Sequence, residues 1–376
     1  MARRARAFLA SEREPAPGRR LDLRFVAANM IDLPKLSLRL HGGLEARRCV
    51  DLAKAAETNG FHGLWFAENP FDRGALPAAA SCALATNRVA IGIGVFNPYN
   101  RHPTLMAMEI GALDELAQGR ARLGIGSGIA AATGRMGLSA DRPLAAVRDA
   151  FTIVRAMLRG EEVAHVGRLF SADRAKLAFR PFRQEIPLLM AARGEQALAL
   201  CGKIADGLLI SNMCPPEFTR RAVEAVVDSA RAANRLPPIE IVQYLPCAVR
   251  RDRSEAYELA KTAIGEMLPG YWALAQRSAA ARAALLRAAD LSEADFERAV
   301  GRLRVGEGPA EVVDERFVAA FAIAGTPADC LAQARRYRAA GASELALTFV
   351  GTHPEAALEA LAQALGTADA KQFAQK

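Results

Sequence analysis

The chain lacks any apolar run approaching the roughly 20 residues of a membrane-spanning helix, and none of its six cysteines falls in a Cys-x-x-Cys pair. The first absence argues against a helical membrane protein. The second leaves Cys49, Cys82, Cys201, Cys214, Cys247 and Cys330 scattered singly. That excludes a disulfide framework and a zinc signature, and it predicts a reducing, cytoplasmic setting. A secretory leader needs an apolar core of roughly 7–15 residues, and Ala7-Phe8-Leu9-Ala10 is too short to supply one. The glycines of Gly124-Ile125-Gly126-Ser127-Gly128 follow a GxGxG spacing, so the GxGxxG fingerprint of a dinucleotide-binding unit is missing as well.

What remains is a chain of 376 residues, 51% hydrophobic and 24% charged, enough for one large α/β domain with a sizeable core. Its net charge of +8 is unevenly spread. Arg3, Arg4, Arg6, Arg13, Arg19 and Arg20 against Glu12 and Glu14 place about half of that excess in the first twenty residues. With Pro15 and Pro17 and no apolar core, this arm reads as a disordered or loosely docked tail. A nucleic-acid or membrane contact is the weaker reading.

From residue 36 onward strands and helices alternate. Apolar runs at 36–40, 62–67, the first half of 89–103, 120–126, 187–192, 206–211, 239–249 and 344–349 read as strands. Helical stretches at 44–58, 75–85, 104–116, 143–158, 195–204, 216–233 and 354–365 follow them. Several strands are announced by a helix that ends near glycine, as in Asn59-Gly60-Phe61, Gln118-Gly119-Arg120, Asp206-Gly207-Leu208 and Ala340-Gly341-Ala342. Eight such pulses predict an α/β fold of the (β/α)8, or TIM-barrel, type. A barrel takes about 250 residues, so the surplus is assigned to insertions at 160–183 and 268–318. The second insertion shows helical patterns at 271–289 and 292–303 and reads as a lid or an oligomer surface. Residues 21–35 precede the first strand and form either a capping strand or, at 21–27, a true first strand. The whole of 21–376 is expected to be one barrel domain.

Chemistry is expected at the carboxyl ends of the strands. The third strand carries Gly92 and Gly94, which mark either a close approach by a ligand or relief of crowding in a tight barrel. It delivers Asn97-Pro98-Tyr99-Asn100-Arg101-His102-Pro103 to that face. Pro103 opens the next helix, and Arg101 and His102 read as packing or capping residues. Glu68 ends the second strand. Against an apolar ligand its carboxyl would titrate high and could shuttle a proton; otherwise it bridges to Arg73 or caps the next turn. Ala192-Arg193-Gly194 joins a strand to a helix start, where free N–H groups and a guanidinium make an anion site.

These segments resemble the luciferase-like superfamily of flavin and deazaflavin enzymes, and within it the F420-dependent methylenetetrahydromethanopterin reductases. The resemblance covers about 36–365. It rests on Ala55 to Phe61, Leu64 to Glu68, Gly94 to Pro103, Leu113 to Leu116 with Gly119-Arg120, Leu123 to Gly128, Ala192 to Gly194 and Ala205 to Ile210, in this order.

The resemblance implies a hydride-transfer enzyme that binds coenzyme F420 at the strand ends. An FMN-dependent monooxygenase with a reductase partner is the alternative, and a non-catalytic barrel is the alternative of another class. It places a non-proline cis peptide at Gly94–Val95 behind the cofactor ring, and Asn97 at the ring's polar edge unless Asn97 forms an Asx turn. It puts Gly126, Ser127 and Gly128 under the cofactor, and Ala192, Arg193 and Gly194 at its phosphate, with Asn212 in reach of the same ligand. Glu68 becomes the catalytic candidate. A homodimer and a small organic, possibly pterin-like, substrate are further implications; the variable loops and 268–318 would set the substrate.

Overall fold

The computed structural model describes residues 32–238, 240–286 and 290–373. The basic arm and the stretch 21–31 lie outside them. Strands β1 (Lys35–Leu40), β2 (Gly63–Phe66), β3 (Ala90–Phe96) and β4 (Ala121–Ile125) are followed by β5 (Val163–Val166) and β6 (Ser171–Ala175), which form a hairpin. Then come β7 (Leu188–Ala191), β8 (Gly207–Ile210), β9 (Glu240–Val249), β10 (Ile323–Gly325) and β11 (Glu344–Phe349). The sheet runs β11-β1-β2-β3-β4-β7-β8, and β9 pairs with both β8 and β11, so eight parallel strands close into a barrel. The expected (β/α)8 architecture is the one observed. β1 pairs with β2 on one side and β11 on the other, so it is the first barrel strand and the count is not displaced.

Alternation along each strand sorts the side chains. Leu36, Leu38 and Leu40 of β1, with Leu64 and Phe66 of β2, pack outward under the helices. Trp65, Leu189, Leu209, Val242, Tyr244 and Ala346 turn inward and fill the lumen. At the amino end of the lumen Arg122 binds Glu344 through two hydrogen bonds of 2.6 and 3.0 Å and reaches Glu240 at 3.2 Å. Trp65 Nε1 donates to the same Glu344 at 2.7 Å. Burial pushes the Glu344 carboxyl up, but the Arg122 charge and hydrogen bonds outweigh it and hold the group at about 2.

Four features depart from the sequence reading, the last of them β10. The excursion at 160–183 contains the β5–β6 hairpin, tied to the helix Pro143–Leu158 by Asp149, which accepts the N–H groups of Leu169 and Phe170. A short helix, Ala130–Arg135, follows β4. The helical insertion begins at 253, well before 268, because the helix Arg253–Arg277 runs through Pro269. Ala256, Ala260, Ile264, Leu268 and Trp272 recur every fourth residue and are buried, so packing of that face outweighs the hydrogen bond lost at proline. The helices Ala279–Leu286, Glu293–Arg304, Pro309–Val312 and Glu315–Phe321 complete a cap with its own core, in which Trp272 stacks on Phe296 at 5.1 Å. Met213 and Ala248, beyond the barrel's β8 and on β9, belong to that core and root the cap at the barrel mouth. β10 then pairs with the last residues of β9, at Cys247–Val249.

Candidate functional site

The mouth is built where β3 and β4 present glycines inward. A Cβ on Gly92 would stand 2.5 Å from Trp65, one on Gly94 would overlap the Tyr244 hydroxyl, and one on Gly124 would overlap Leu209. Trp65 from the neighbouring β2, Tyr244 from β9 and Leu209 from β8 fill these notches, so crowding inside the barrel is one reason for all three glycines. Above them the Gly94–Val95 peptide is cis. Val95 lies over β4, and a Cβ on Gly126 would stand 3.0 Å from the Ala191 Cβ and 3.1 Å from Val95 Cγ2. Val95, Gly126 and Ala191 thus form a close-packed apolar floor, with Ser127 partly exposed and Gly128 exposed at its edge.

Asn97 is committed within the protein. Its Oδ1 accepts the Tyr99 N–H at 3.0 Å and its Nδ2 donates to Thr133 at 3.2 Å, the Asx-turn arrangement. A side chain at Gly128, whose φ is +67°, would strike the Asn97 amide. Glu68 is committed too. One oxygen accepts the Ala75 N–H at 2.8 Å and starts the helix Ala75–Ala85; the other pairs with Arg101 at 2.8 Å. The expected bridge to Arg73 is absent because Arg73 donates to the Gly42 and Gly43 carbonyls. Arg101 also pairs with Glu109 and lies 4.3 Å over the Phe96 ring. His102 caps the helix Pro103–Leu116 through the Thr104 N–H.

Across the mouth, Ala192 is buried and Arg193 and Gly194 are partly buried. Arg193 Nη2 donates to the Met213 carbonyl at 2.7 Å, while Nε and Nη1 are buried without partners. The guanidinium faces the ring of Tyr271, from the cap, at 5.1 Å. Gly194 begins the helix Glu195–Ile204 with no side-chain cap, and a Cβ there would meet open space. Asn212 Oδ1 is also buried and unpartnered. The unpaired Arg193 donors and the uncapped helix end fit a phosphorylated cofactor on chemical grounds.

Sequence reasoning missed Arg39, Tyr244, Tyr271 and Thr348. The alternation Leu36-Ser37-Leu38-Arg39-Leu40 contained a signal for the first of these: in a buried strand its polar positions must face the lumen. Beside the mouth a cavity of about 360 Å³ lies at the ends of β1 and β2, lined by Leu40, His41, Phe66, Ala67, Arg73 and Ala75 among others. Burial, then the Arg39 charge, lowers the pKa of His41 there.

A family profile described as luciferase-like monooxygenase matches residues 29–344, and the chain belongs to that family. More particularly, it is 29% identical over 309 residues to the 5,10-methylenetetrahydromethanopterin reductase of Methanolobus tindarius, a match spanning 82% of this chain and 92% of that protein. The coenzyme F420-dependent tetrahydromethanopterin reductase from Methanopyrus kandleri has a solved structure that superposes with a TM-score of 0.78 at 24% identity, covering 88% of this chain and 98% of its own. The oxygenating constituent of 3,6-diketocamphane monooxygenase from Pseudomonas putida, solved with FMN, gives a TM-score of 0.65 at 18% identity, covering 88% of this chain and 96% of its own. The two solved structures share the fold.

Proposed function

We propose that this protein is an F420-dependent oxidoreductase that transfers a hydride between the bound deazaflavin and a small organic substrate. The observation that carries the reading is the Arg193–Gly194 turn, where buried guanidinium donors without partners meet an uncapped helix. The likeness to coenzyme F420-dependent enzymes supplies the choice of deazaflavin. When bound, the cofactor supplies the redox chemistry.

The chain's own residues hold and orient it. Arg193 and the amides after Gly194 take the phosphate, and Asn212 accepts a hydrogen bond from the same ligand. Val95, Gly126 and Ala191 present the flat apolar floor for the ring, with Ser127 and Gly128 bordering it, and Ala192 leads into the phosphate-holding Arg193–Gly194 turn. Asn97 holds the floor's edge by its turn. Glu68, with both oxygens engaged, positions Arg101 and the β2 loop; the proton-shuttle role expected from sequence would require it to give up that pair. We place the protein in the cytoplasm, where its six free and buried cysteines stay reduced. We also assign it a homodimer through the exposed Leu105, Met108 and Leu116 of the helix Pro103–Leu116, which sedimentation at micromolar concentration tests.

Fluorescence titration of the purified protein with coenzyme F420 and, separately, FMN tests the reading. F420 is expected to bind and FMN not, and Arg193→Ala is expected to weaken F420 binding roughly tenfold to a hundredfold. FMN-only binding would move the assignment to a monooxygenase with a reductase partner. Binding of neither would leave a non-catalytic barrel.

A further inference from the structure

Two guanidiniums point into the lumen, and their surroundings differ. Arg122, at the amino end, is neutralised by Glu344 and Glu240. Arg39 occupies the last inward position of β1, at the mouth. Its Nη1 donates to Thr348 Oγ1 at a long 3.3 Å, its Nε is buried without a partner, and its charge stacks 4.8 Å over the ring of Tyr244. No carboxylate within bridging distance of Arg39 is found among the described residues. A half-buried cation left without a counter-charge is costly.

The group beneath it is unsatisfied in the same way. Tyr244 is 6% exposed, and its hydroxyl, aimed at Gly94, has no hydrogen-bond partner. Burial drives its pKa up, so it is a donor at neutral pH. Tyr271, descending from the cap, stands against Arg193 and is acted on electrostatically by both Arg193 and Arg39. The two cations have different partners, Arg193 on the Met213 carbonyl and Arg39 on Thr348, and so mark two positions at one mouth. The first is the proposed cofactor-phosphate position, and the second has no assigned occupant.

We propose that Arg39, Tyr244 and Thr348 form a subsite for an oxyanion of the substrate, a carboxylate or a phosphate. The inference rests on the reading of the mouth as the site where substrate meets cofactor. The guanidinium fork matches either anion in two-point geometry, and the phenol and threonine hydroxyls donate to its remaining oxygens. The substrate is then an acidic molecule, held by its charge on the β1–β11 side of the mouth and turned toward the floor formed by Val95 and Gly126.

Calorimetric titration of the full chain, with and without F420, using benzoate and inorganic phosphate as separate probes, tests this. One saturable benzoate per chain is expected at this subsite, and one phosphate there once F420 occupies the Arg193 position. Binding there should weaken roughly tenfold to a hundredfold in Arg39→Met, less in Arg39→Lys and several-fold in Tyr244→Phe. Arg193→Ala, which removes the proposed phosphate contact, is expected to leave benzoate binding intact. The preferred probe distinguishes carboxylate from phosphate. Absence of anion binding in the wild-type chain overturns the proposal, as does equal binding in wild type and in Arg39→Met folded by circular dichroism. Should Arg39→Met fail to fold, unchanged binding in both Tyr244→Phe and Arg39→Lys overturns it. Anion binding that depends on Arg39 without any F420 binding removes the cofactor reading and leaves this subsite standing; the reverse result removes only the subsite.

Discussion

Replacing Gly94 by alanine tests whether this glycine makes room for a side chain from the opposite wall. Gly94 does not adopt a left-handed φ, so alanine meets no backbone penalty of that kind. The penalty is steric. The new methyl group would overlap the Tyr244 hydroxyl and lie 3.1 Å from both Tyr244 Cζ and Trp65 Cε3. Tyr244 has nowhere to swing, with Arg39 4.8 Å over its ring and the Trp65 ring 6.1 Å away. Overpacking a core costs about 1–3 kcal/mol, and so rigid a neighbour puts Gly94→Ala at about 3 kcal/mol.

The companion change separates this cause from others. Tyr244→Phe deletes a hydroxyl that has no partner, so it forfeits no hydrogen bond and removes a buried polar group whose desolvation costs about 1–3 kcal/mol. It should be neutral to stabilising. In that background the alanine methyl meets only ring carbons, and its cost should fall to about 1 kcal/mol. A double-mutant cycle by urea denaturation, followed by tryptophan fluorescence and circular dichroism in the absence of ligand, should return a coupling of about 2 kcal/mol. Additivity within about 0.5 kcal/mol would refute the reasoning and return Gly94 to ligand approach as its sole explanation. The same geometry makes Gly94 variants a poor probe of cofactor binding, since they disturb Tyr244 first.

Two further predictions concern the framework. Glu344 is held at about 2 in the fold against roughly 4.3 in an unfolded chain. Its contribution is therefore complete above that unfolded value and is lost as pH falls toward the folded one, a difference of roughly 3 kcal/mol. Glu344→Gln should flatten the acid limb of the stability curve, and an unchanged limb would count against the pairing with Arg122. Asp114 is fully buried, accepts two bonds from Arg183 at 2.7 and 3.0 Å and takes the Ala121 N–H at 3.0 Å. Asp114→Asn should cost about 3 kcal/mol, the low end for breaking a buried pair because Arg183 is partly open to water. An unshifted urea midpoint would contradict this.

The barrel was legible because its punctuation is physical. Gly60, Gly119 and Gly341 have positive φ and end helices as the sequence suggested, whereas Gly207 starts β8 and is small because Glu240 and Leu189 crowd it. The helices Ala75–Ala85, Pro143–Leu158 and Glu195–Ile204 fall at the expected residues, where proline, glycine or an apolar stripe fixes each boundary. The β5–β6 hairpin and β10 escaped notice because strands of four, five and three residues carry too few alternations to stand out. The cap helix begins at 253 and not at the expected 271, and runs through Pro269 because tertiary packing outweighs the local cost of proline. At the site, Arg193 was found through its place before a helix, but Arg39 and Tyr244 were hidden inside strands read as continuous apolar runs.

Four of the residues that made the resemblance visible work at the closed end of the barrel. Glu57 accepts the N–H groups of Asn87, Arg88 and Val89, and Arg120 donates to the carbonyls of Ala83, Thr86 and Val89. Asp114 receives Ala121, and Asp206 receives the Leu188 N–H at 3.0 Å. Each bond fastens a neighbouring segment to the start of a strand, and none depends on what enters the mouth. A lineage can keep all of them while its substrate changes, so they define the family and leave the substrate unspecified. The side chains that could choose a substrate come from elsewhere: Arg39 from β1, Tyr244 from β9, Thr348 from β11 and Tyr271 from the cap. Because the cap has its own aromatic core, it can vary as a unit without loosening the barrel beneath. Substrate choice in this protein should therefore follow those four residues and not the segments through which its kinship is seen.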